Sequence, residues 1–480
     1  MAKKILMVGT EAMPFAATGG LGDVLGSLPA ACKAQDAEGL DVRVVMPLYS
    51  SIKHEYREKM EFITDIIVPL AWRQLYCGIF KLEKDGVIYY FIDNEYYFKR
   101  GEIYGSYDDG ERFAYFCSAV MHIMPVIDFF PDILHAHDWQ SALTVIYLKT
   151  IFRYSPRYAN MRAVFTIHNI AYQGQYDLAI LGDVFGLDIK YASIVAYDGC
   201  INLMKGAIVC ADKVTTVSPT YAKEIRYPAH SKGLHYILRE NNYKLSGILN
   251  GIDYNYYNPS KDEVIYKKYS VTTLKNKAVN KTEFQKEFGL PERADVPLIA
   301  IISRLVDHKG IDIVSKIMES VIQENDVQLV VLGRGDKKYE DYFMYLQNMH
   351  PSQVKTLIMY DRDVSKKIYA AADIFVMPSL SEPCGLAQMI ASRYGAVPVT
   401  RETGGLYDSI KGYYEQDGEL FGNGFTFANY SEWELKDRIC AALGLYKDTK
   451  KWNRFVKIVM KTDFSWDISA KKYIDLYNNM

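Results

Sequence analysis

The sequence lacks the features that mark membrane-spanning, secreted and nucleic-acid-binding proteins. Its apolar runs fall short of the roughly 18 residues that span a bilayer, and the first, residues 5–8, is too short for a signal peptide. The seven cysteines are odd in number and form no C-x-x-C pair, which favours reduced thiols over disulfides or a zinc site. The formal net charge of −2 gives no general attraction to nucleic acid or an anionic membrane. We therefore expect a cytoplasmic protein that binds neither.

The composition is that of a large globular chain. With 480 residues, of which 49% are hydrophobic and 24% charged, it can bury substantial cores and has the length of two or three ordinary domains. There are 39 tyrosines. Aromatic faces stack well on sugars and nucleobases, although tyrosine enrichment can also reflect codon usage. Two domains are the organisation that the length predicts.

The first hundred residues begin as a strand, a glycine-rich loop and a helix. Residues 4–9 form a short apolar run, and T-G-G-L-G-D at 18–23 leads into a helical pattern. Ten residues separate Gly9 from Gly20, so this is not the dinucleotide-binding G-x-G-x-x-G, and a nicotinamide site is rejected. Residues 42–46 predict the next parallel strand, and residues 61–100 predict extra strands.

Polar side chains follow two further predicted strands. Residues 133–136 and 164–167 are mainly apolar, and they lead to Asp138 and to His168 with Asn169. Ligands of open α/β sheets bind at the carboxyl ends of the strands, so these side chains indicate one site. The H-A-H-D spacing could also supply metal ligands, but no matching cluster occurs elsewhere, and we predict no metal.

The same organisation restarts in the second half. A polar passage rich in tyrosine and lysine follows residue 254 and is the candidate domain junction, and buried strands are predicted at 298–302 and 327–332. Two doubly wound halves in succession predict an α/β fold. We place the domains at residues 1–249 and 250–460, with a terminal helix at 461–480.

The stretch at 374–394 points most directly to chemistry. An apolar run at 374–377, which predicts a buried strand, leads to Glu382. The chain then turns at Pro383 and Gly385, and residues 386–393 can continue as a helix. A helix start presents unpaired N–H groups and about half a positive charge, which suits a phosphate leaving group. The alternative is a solvated glutamate in a loop between a strand and a helix.

Nine segments resemble, in chain order, the bacterial glycogen synthase and plant starch synthase family. They are ATGGLGDV (17–24), HAHDW (135–139), TIHNIAYQG (166–174), VSPTYAKEI (217–225), LNGID (249–253), SRLVDHKG (303–310), YDRDVSKKIYAAAD (360–373), PSLSEPCGLAQ (378–388) and TGGLYDS (403–409). The resemblance implies two Rossmann-like domains facing a central cleft, a GT-B-type glycosyltransferase. It further implies a retaining enzyme without metal or cofactor that extends an α-1,4-glucan from ADP-glucose. UDP-glucose stays open as the donor.

The resemblance also implies the site residues. The donor-binding set is Gly19, Gly20, Arg304, Lys309, Tyr360, Gly385, Leu386, Thr403 and Gly404, the catalytic set is Glu382, Asp138 and His168, and the supporting set is Asp23, Asn169 and Asn250.

Each set has a chemical role. Arg304 and Lys309 can neutralise the departing diphosphate, and the N–H groups of Gly385 and Leu386 can hold its distal phosphate. By the resemblance, Tyr360 stacks on the nucleobase and Glu382 faces the oxocarbenium charge of the sugar. Asp138, His168 and Asn169 hold sugar hydroxyls or orient the acceptor. Two mechanisms of glucosyl transfer retain configuration: attack by the acceptor on the same face of the sugar that the leaving group departs from, and double displacement by a carboxylate nucleophile. Family precedent favours the first.

The sequence departs from the family at Ala17. The family has lysine before T-G-G-L, and that lysine contacts the donor, whereas this chain has alanine. Losing a contact made in the transition state typically costs about 3 kcal/mol. Low activity, a compensating cation or a glucan-binding paralogue without activity would each account for the change. The family architecture further implies that the terminal helix crosses back onto the first domain.

Overall fold

Two units of alternating strands and helices make up the chain, which is described here from a computed structural model covering residues 2–36 and 39–480. Unit 1 contains the chain up to Gly251 together with Trp466–Met480, and unit 2 contains Ile252–Ser465. Across the described residues, no helix has the length and apolar character to cross a membrane.

Unit 1 is built on a nine-stranded sheet with the order β12-β11-β7-β6-β1-β2-β5-β4-β3. Its pairs are parallel except β3 with β4 and β4 with β5. Strands β8, β10 and β9 form a small antiparallel sheet. The strands are β1 (Lys3–Val8), β2 (Leu40–Pro47), β3 (Glu61–Leu70), β4 (Arg73–Lys84), β5 (Val87–Asp93), β6 (Ile133–His137), β7 (Arg162–Ile167), β8 (Gln175–Tyr176), β9 (Ala196–Tyr197), β10 (Cys200–Asn202), β11 (Lys213–Thr216) and β12 (Leu245–Gly247).

The central strands of this sheet are buried on both faces, which requires helices on both sides of the sheet. All five residues of β6, for example, are buried. The α-helices of unit 1 are Gly20–Gln35, His54–Arg57, Glu95–Phe98, Asp109–Ile123, Ala142–Lys149, Ala192–Val195, Leu203–Cys210, Pro219–Glu224, Pro228–Ser231, His235–Glu240 and Trp466–Asn478. The last of these buries Ala470, Tyr473 and Tyr477, and the Ser469 hydroxyl donates to the Leu249 carbonyl.

Unit 2 has a six-stranded, fully parallel sheet with the order β15-β14-β13-β16-β17-β20, and a separate hairpin of β18 and β19. Its strands are β13 (Leu298–Ile302), β14 (Gln328–Leu332), β15 (Val354–Leu357), β16 (Ile374–Met377), β17 (Val397–Arg401), β18 (Tyr414–Gln416), β19 (Glu419–Phe421) and β20 (Phe425–Phe427). Its α-helices are Lys277–Phe288, Ile311–Glu324, Lys337–Met349, Arg362–Ala371, Ala387–Arg393, Gly404–Ser409, Glu432–Tyr446 and Thr449–Lys461. The predicted α/β class with two doubly wound halves is confirmed.

Local sequence accounts for where some elements begin and end. Helix Pro219–Glu224 begins at Pro219, because Pro suits the first turn and Ser218 caps the helix by accepting from the Tyr221 N–H at 3.2 Å. Unit 2 continues to Ser465, beyond the sequence-based limit at 460. The Ile252 N–H donates to the Phe464 carbonyl at 2.8 Å, which joins the two ends of unit 2.

The order of strands places the polar loops. In each sheet the strand order changes direction at one point. In unit 1 this point lies between β1 and β6, because β2 lies on the other side of β1, and in unit 2 it lies between β13 and β16. Loops that leave two such strands diverge and open a crevice at the carboxyl edge of the sheet, where ligands of these folds bind.

Candidate active site

Two loops meet at the strand-order reversal of unit 2. One follows β13 and carries Lys309, and the other follows β16 and carries Glu382. The Leu380 N–H donates to the His308 carbonyl at 3.0 Å. Gly310 has a φ of +78°, and an added Cβ there would collide with the Pro378 carbonyl. The glycine thus lets the first loop pass directly over the second.

This close approach pairs Lys309 with Glu382. The Lys309 Nζ lies 2.6 Å from Glu382 Oε2, and the Ser379 hydroxyl donates to the same oxygen at 3.1 Å. The two charged side chains are 17% and 8% exposed, so both are largely withdrawn from water. A carboxylate at this depth needs such partners, because an unpaired buried charge is strongly destabilising.

Arg304 lies at the rim of the same crevice. It is exposed, and a guanidinium nitrogen is 3.3 Å from His308 Nε2. Among the described residues it makes no ion pair with a carboxylate. The exposed Arg304 guanidinium beside the Lys309 loop is available to an anionic ligand.

The loop that contains Glu382 is held by the turn at residues 403–405. The Gly405 N–H donates to the Glu382 carbonyl at 3.0 Å, and an added Cβ on Gly405 would collide with the Cys384 carbonyl. Gly385 has a φ of +72°, and Leu386 is the cap residue of helix Ala387–Arg393. Thr403 and Gly404, in the same turn as Gly405, are buried.

Tyr360 lies apart from these buried groups, beyond the end of β15. Its side chain is 79% exposed, and its hydroxyl accepts from Arg362 Nε at 3.2 Å. An exposed ring supported through its hydroxyl leaves aromatic surface free for stacking.

In unit 1, the glycine-rich loop closes on a buried carboxylate. Glu11 is 3% exposed and accepts from the Thr18 N–H, from the Thr18 hydroxyl at 2.8 Å and from the Gly19 N–H at 3.2 Å. The Tyr104 hydroxyl donates to it at 2.7 Å. The Gly19 N–H is therefore occupied, and contact of Gly19 or the exposed Gly20 with a donor stays a prediction.

Asp138 organises the next strand end. It has a φ of +59°, unusual for a residue with a side chain, and its Oδ1 accepts from the His168 N–H at 2.7 Å and from the Asn169 N–H at 3.4 Å. Burial raises the pKa of Asp138 to about 7. The strained backbone thus directs a carboxylate at the residues that follow β7.

His168 is joined to a second histidine. Its Nε2 lies 3.0 Å from His137 Nδ1. Burial lowers the pKa of His168 to about 3, so its ring is neutral. Within the part of the chain that the structure describes, no three His, Cys, Asp or Glu side chains are arranged to hold a metal ion.

The supporting residues lie in the same unit. The Asn169 side chain accepts from the Ala171 N–H at 3.0 Å, and Asp23 is in the first turn of helix Gly20–Gln35. Asn250 is 5% exposed, and its Oδ1 has no partner among the described residues. Ala17 is half-buried next to the loop that Glu11 holds. Their roles stay predictions.

Comparison with known proteins gives a consistent result over the whole chain. The sequence profile of the starch synthase catalytic domain matches residues 4–240, and that of glycosyl transferases group 1 matches residues 281–458. The glycogen synthase of Geobacillus thermodenitrificans is 45% identical over 479 residues, which cover 99% of this chain and 98% of the relative. That of Clostridium beijerinckii is 46% identical over 480 residues, 99% of each chain.

This chain belongs to the glycogen and starch synthase family. The family resemblance read from the nine sequence segments is therefore confirmed. The catalytic domain of Arabidopsis thaliana starch synthase IV, solved with ADP and acarbose, matches with a TM-score of 0.90 and 34% identity, covering 100% of this chain and 99% of that one.

A more distant structure shows the fold alone. Sucrose-phosphate synthase from Thermosynechococcus elongatus has a TM-score of 0.60 at 16% identity, covering 99% of this chain and 98% of that one. The predicted GT-B-type class and the glycosyltransferase class of enzyme are confirmed for this glycogen and starch synthase family member.

Sequence reasoning missed three partners of the candidate residues in this synthase family member. Glu11 holds the glycine-rich loop, Ser379 donates to Glu382, and His137 contacts His168. A single carboxylate within the apolar stretch at 5–16 was the available signal for Glu11.

Proposed function

We propose that the chain is a retaining glucosyltransferase that lengthens an α-1,4-glucan and takes glucose from ADP-glucose. The observation that carries the proposal is the 2.6 Å contact of Lys309 with Glu382 beside the open guanidinium of Arg304. A diphosphate that reaches the Lys309 ammonium also comes close to Glu382. Cations for the leaving group and a carboxylate for the sugar therefore lie in one crevice.

The chemistry follows from the charges that develop. Cleavage of the bond between glucose and the diphosphate places negative charge on the leaving group and oxocarbenium character on the sugar. Arg304 and Lys309 stabilise the first, with help from the N–H groups at Gly385 and Leu386. Glu382 stabilises the second, and its position between Lys309 and Ser379 fixes the carboxylate before the reaction begins.

The remaining candidates bind the two substrates. Tyr360 stacks on the base, and Thr403 and Gly404 shape the donor loop. Asp138, His168 and Asn169 hold sugar hydroxyls or orient the acceptor, supported by Asp23 and Asn250, and Gly19 and Gly20 approach the donor.

The comparisons favour ADP-glucose over UDP-glucose, because the starch synthase IV structure holds ADP together with acarbose. They give no support to an inactive glucan-binding paralogue, since the relatives of full length are named glycogen synthases. A cytoplasmic location stays a prediction.

Replacing the carboxylate tests the proposal. Glu382→Gln keeps the shape of the side chain and a hydrogen-bond acceptor for Lys309 but removes the negative charge. We expect kcat with ADP-glucose and glycogen to fall by at least about a hundredfold, while ADP binding measured by calorimetry is retained. Glu287→Gln, at an exposed ion pair with Lys367, is the matched control and should remain active. Turnover of Glu382→Gln close to that of the unmodified protein contradicts the assignment.

A further inference from the structure

Three imidazoles lie side by side at the carboxyl edge of the unit 1 sheet. His135 and His137 alternate on β6 and therefore point to the same face, and their rings stack with centroids 4.1 Å apart. His168 follows β7, and its Nε2 is 3.0 Å from His137 Nδ1. The first two side chains are fully buried and His168 is half-buried.

The hydrogen bond between His137 and His168 requires one donor and one acceptor. Burial lowers the pKa of both rings well below the ordinary value, so each ring is neutral and carries one N–H. Either His137 Nδ1 donates to His168 Nε2, or the proton lies on His168 Nε2 and the His137 proton is on its own Nε2.

The surroundings of His137 distinguish these two tautomers. His137 Nε2 is buried and has no hydrogen-bond partner in the described part of the chain. A proton there would be an orphaned buried N–H, which is rarer in proteins than an idle acceptor. The structure therefore favours His137 protonated at Nδ1 and donating to His168 Nε2.

His135 prevents the His137 ring from turning. The His135 Nδ1 lies 2.7 Å from the Tyr477 hydroxyl, and its Nε2 lies 2.6 Å from the Thr166 hydroxyl. A ring held at both nitrogens is fixed, and it stacks on His137. Tyr477, on the last helix, thus belongs to the support of the His137 ring.

We propose that His137 is a positioning residue that fixes His168 in the Nδ1–H tautomer, so that His168 offers a hydrogen-bond donor. His168 Nδ1 has no partner among the described residues, which leaves its N–H for a ligand. That the ligand group is a sugar hydroxyl rests on the proposed function. On this account His168 binds an oxygen lone pair through Nδ1 and does not serve as a base there.

Nitrogen NMR tests the tautomer without any assay of activity. Two-bond ¹H–¹⁵N correlation spectra of protein labelled in its nine histidines separate protonated from unprotonated ring nitrogens. Assignment uses the loss of signals in His137→Phe and His168→Gln. Near neutral pH we expect protonated Nδ1 and unprotonated Nε2 at both residues. A proton on His168 Nε2 overturns the proposal.

Three substitutions of His137 separate positioning from packing. The amide of His137→Asn places an N–H near the former Nδ1, that of His137→Gln places it near Nε2, and His137→Phe has neither. We expect kcat to fall about tenfold or more for Phe and Gln and less than about threefold for Asn. His122→Phe, which removes an imidazole bonded to the Ser118 carbonyl elsewhere in unit 1, should retain activity.

The activity of the variants tests the positioning role of His137, and the NMR spectrum tests the tautomer of His168. Rescue by Gln as good as that by Asn, or full activity in Phe, overturns positioning through Nδ1. If the substituted proteins do not fold, the spectrum of the unmodified protein still decides the tautomer. If no donor supports transfer while the spectrum shows Nδ1–H at His168, the proposed function fails and the tautomer assignment stands.

Discussion

Replacing Lys309 with methionine should destabilise unit 2, because it leaves the Glu382 carboxylate buried without its cation. Breaking a buried ion pair costs about 3–5 kcal/mol, whereas an exposed pair contributes about 0–1 kcal/mol. The Glu382 side chain is 8% exposed and keeps its bond from Ser379, so we expect an intermediate cost of about 2 kcal/mol. For a unit of roughly 150–250 residues, this lowers the unfolding midpoint by about 4–8 °C.

The double variant Lys309→Met, Glu382→Gln makes this prediction specific. With no charge left in the pocket, it should recover most of the lost midpoint, as measured by scanning calorimetry with ADP absent. Lys337→Met, which breaks an exposed pair with Asp341, is the control and should shift the midpoint by less than about 2 °C. A double variant as unstable as the sum of the single changes would refute a coupled buried pair.

Three further predictions concern unit 1. Ala17→Lys should raise kcat/KM for ADP-glucose about tenfold, roughly 1.4 kcal/mol, if a donor-contacting cation is missing, and an equal gain in Ala17→Met would contradict the role of charge. Burial holds the pKa values of His135, His137 and His168 below that of an unfolded histidine, so below about pH 6.5 the unfolded state binds more protons at these three groups. The raised pKa of Asp138 acts in the opposite direction but concerns a single proton, so the free energy of unfolding should still decrease as pH falls from there. A urea-unfolding series that shows no decrease contradicts this. Deleting Trp466–Met480, which includes two fully buried tyrosines, should lower the unfolding midpoint of unit 1 by at least about 10 °C, and an unchanged midpoint contradicts its packing role.

The sequence predicts strands β1, β2, β6, β7, β13, β14 and β16, because each is a short and mainly apolar run that leads to polar residues. The ends of β6 and β7 are examples, since Asp138 and His168 lie where the carboxyl edge of a parallel sheet was expected to carry function. The limits of the two units follow less directly from the sequence, because they depend on tertiary contacts. The end of unit 2 depends on pairing between Ile252 and Phe464, which are distant in sequence.

Contacts between side chains were predicted less well than positions. Lys309 and Glu382 are 73 residues apart and meet because β13 pairs with β16, a strand order that the sequence does not specify. The Glu11 carboxylate was missed because its donors are the N–H groups and the hydroxyl of the turn at Thr18 and Gly19, together with the distant Tyr104 hydroxyl. Such partners depend on the path of the loop and leave no pattern of residue types.

Transfer of labelled glucose from ADP-glucose to glycogen is the most direct test of the account. Purified protein should release ADP in step with incorporation of label, and β-amylase should remove the added glucose as maltose, which requires α-1,4 linkage and therefore retention. UDP-glucose should support slower transfer. Release of ADP without incorporation, or no turnover with either donor in a folded protein that binds ADP, would contradict the assignment as a glucan synthase.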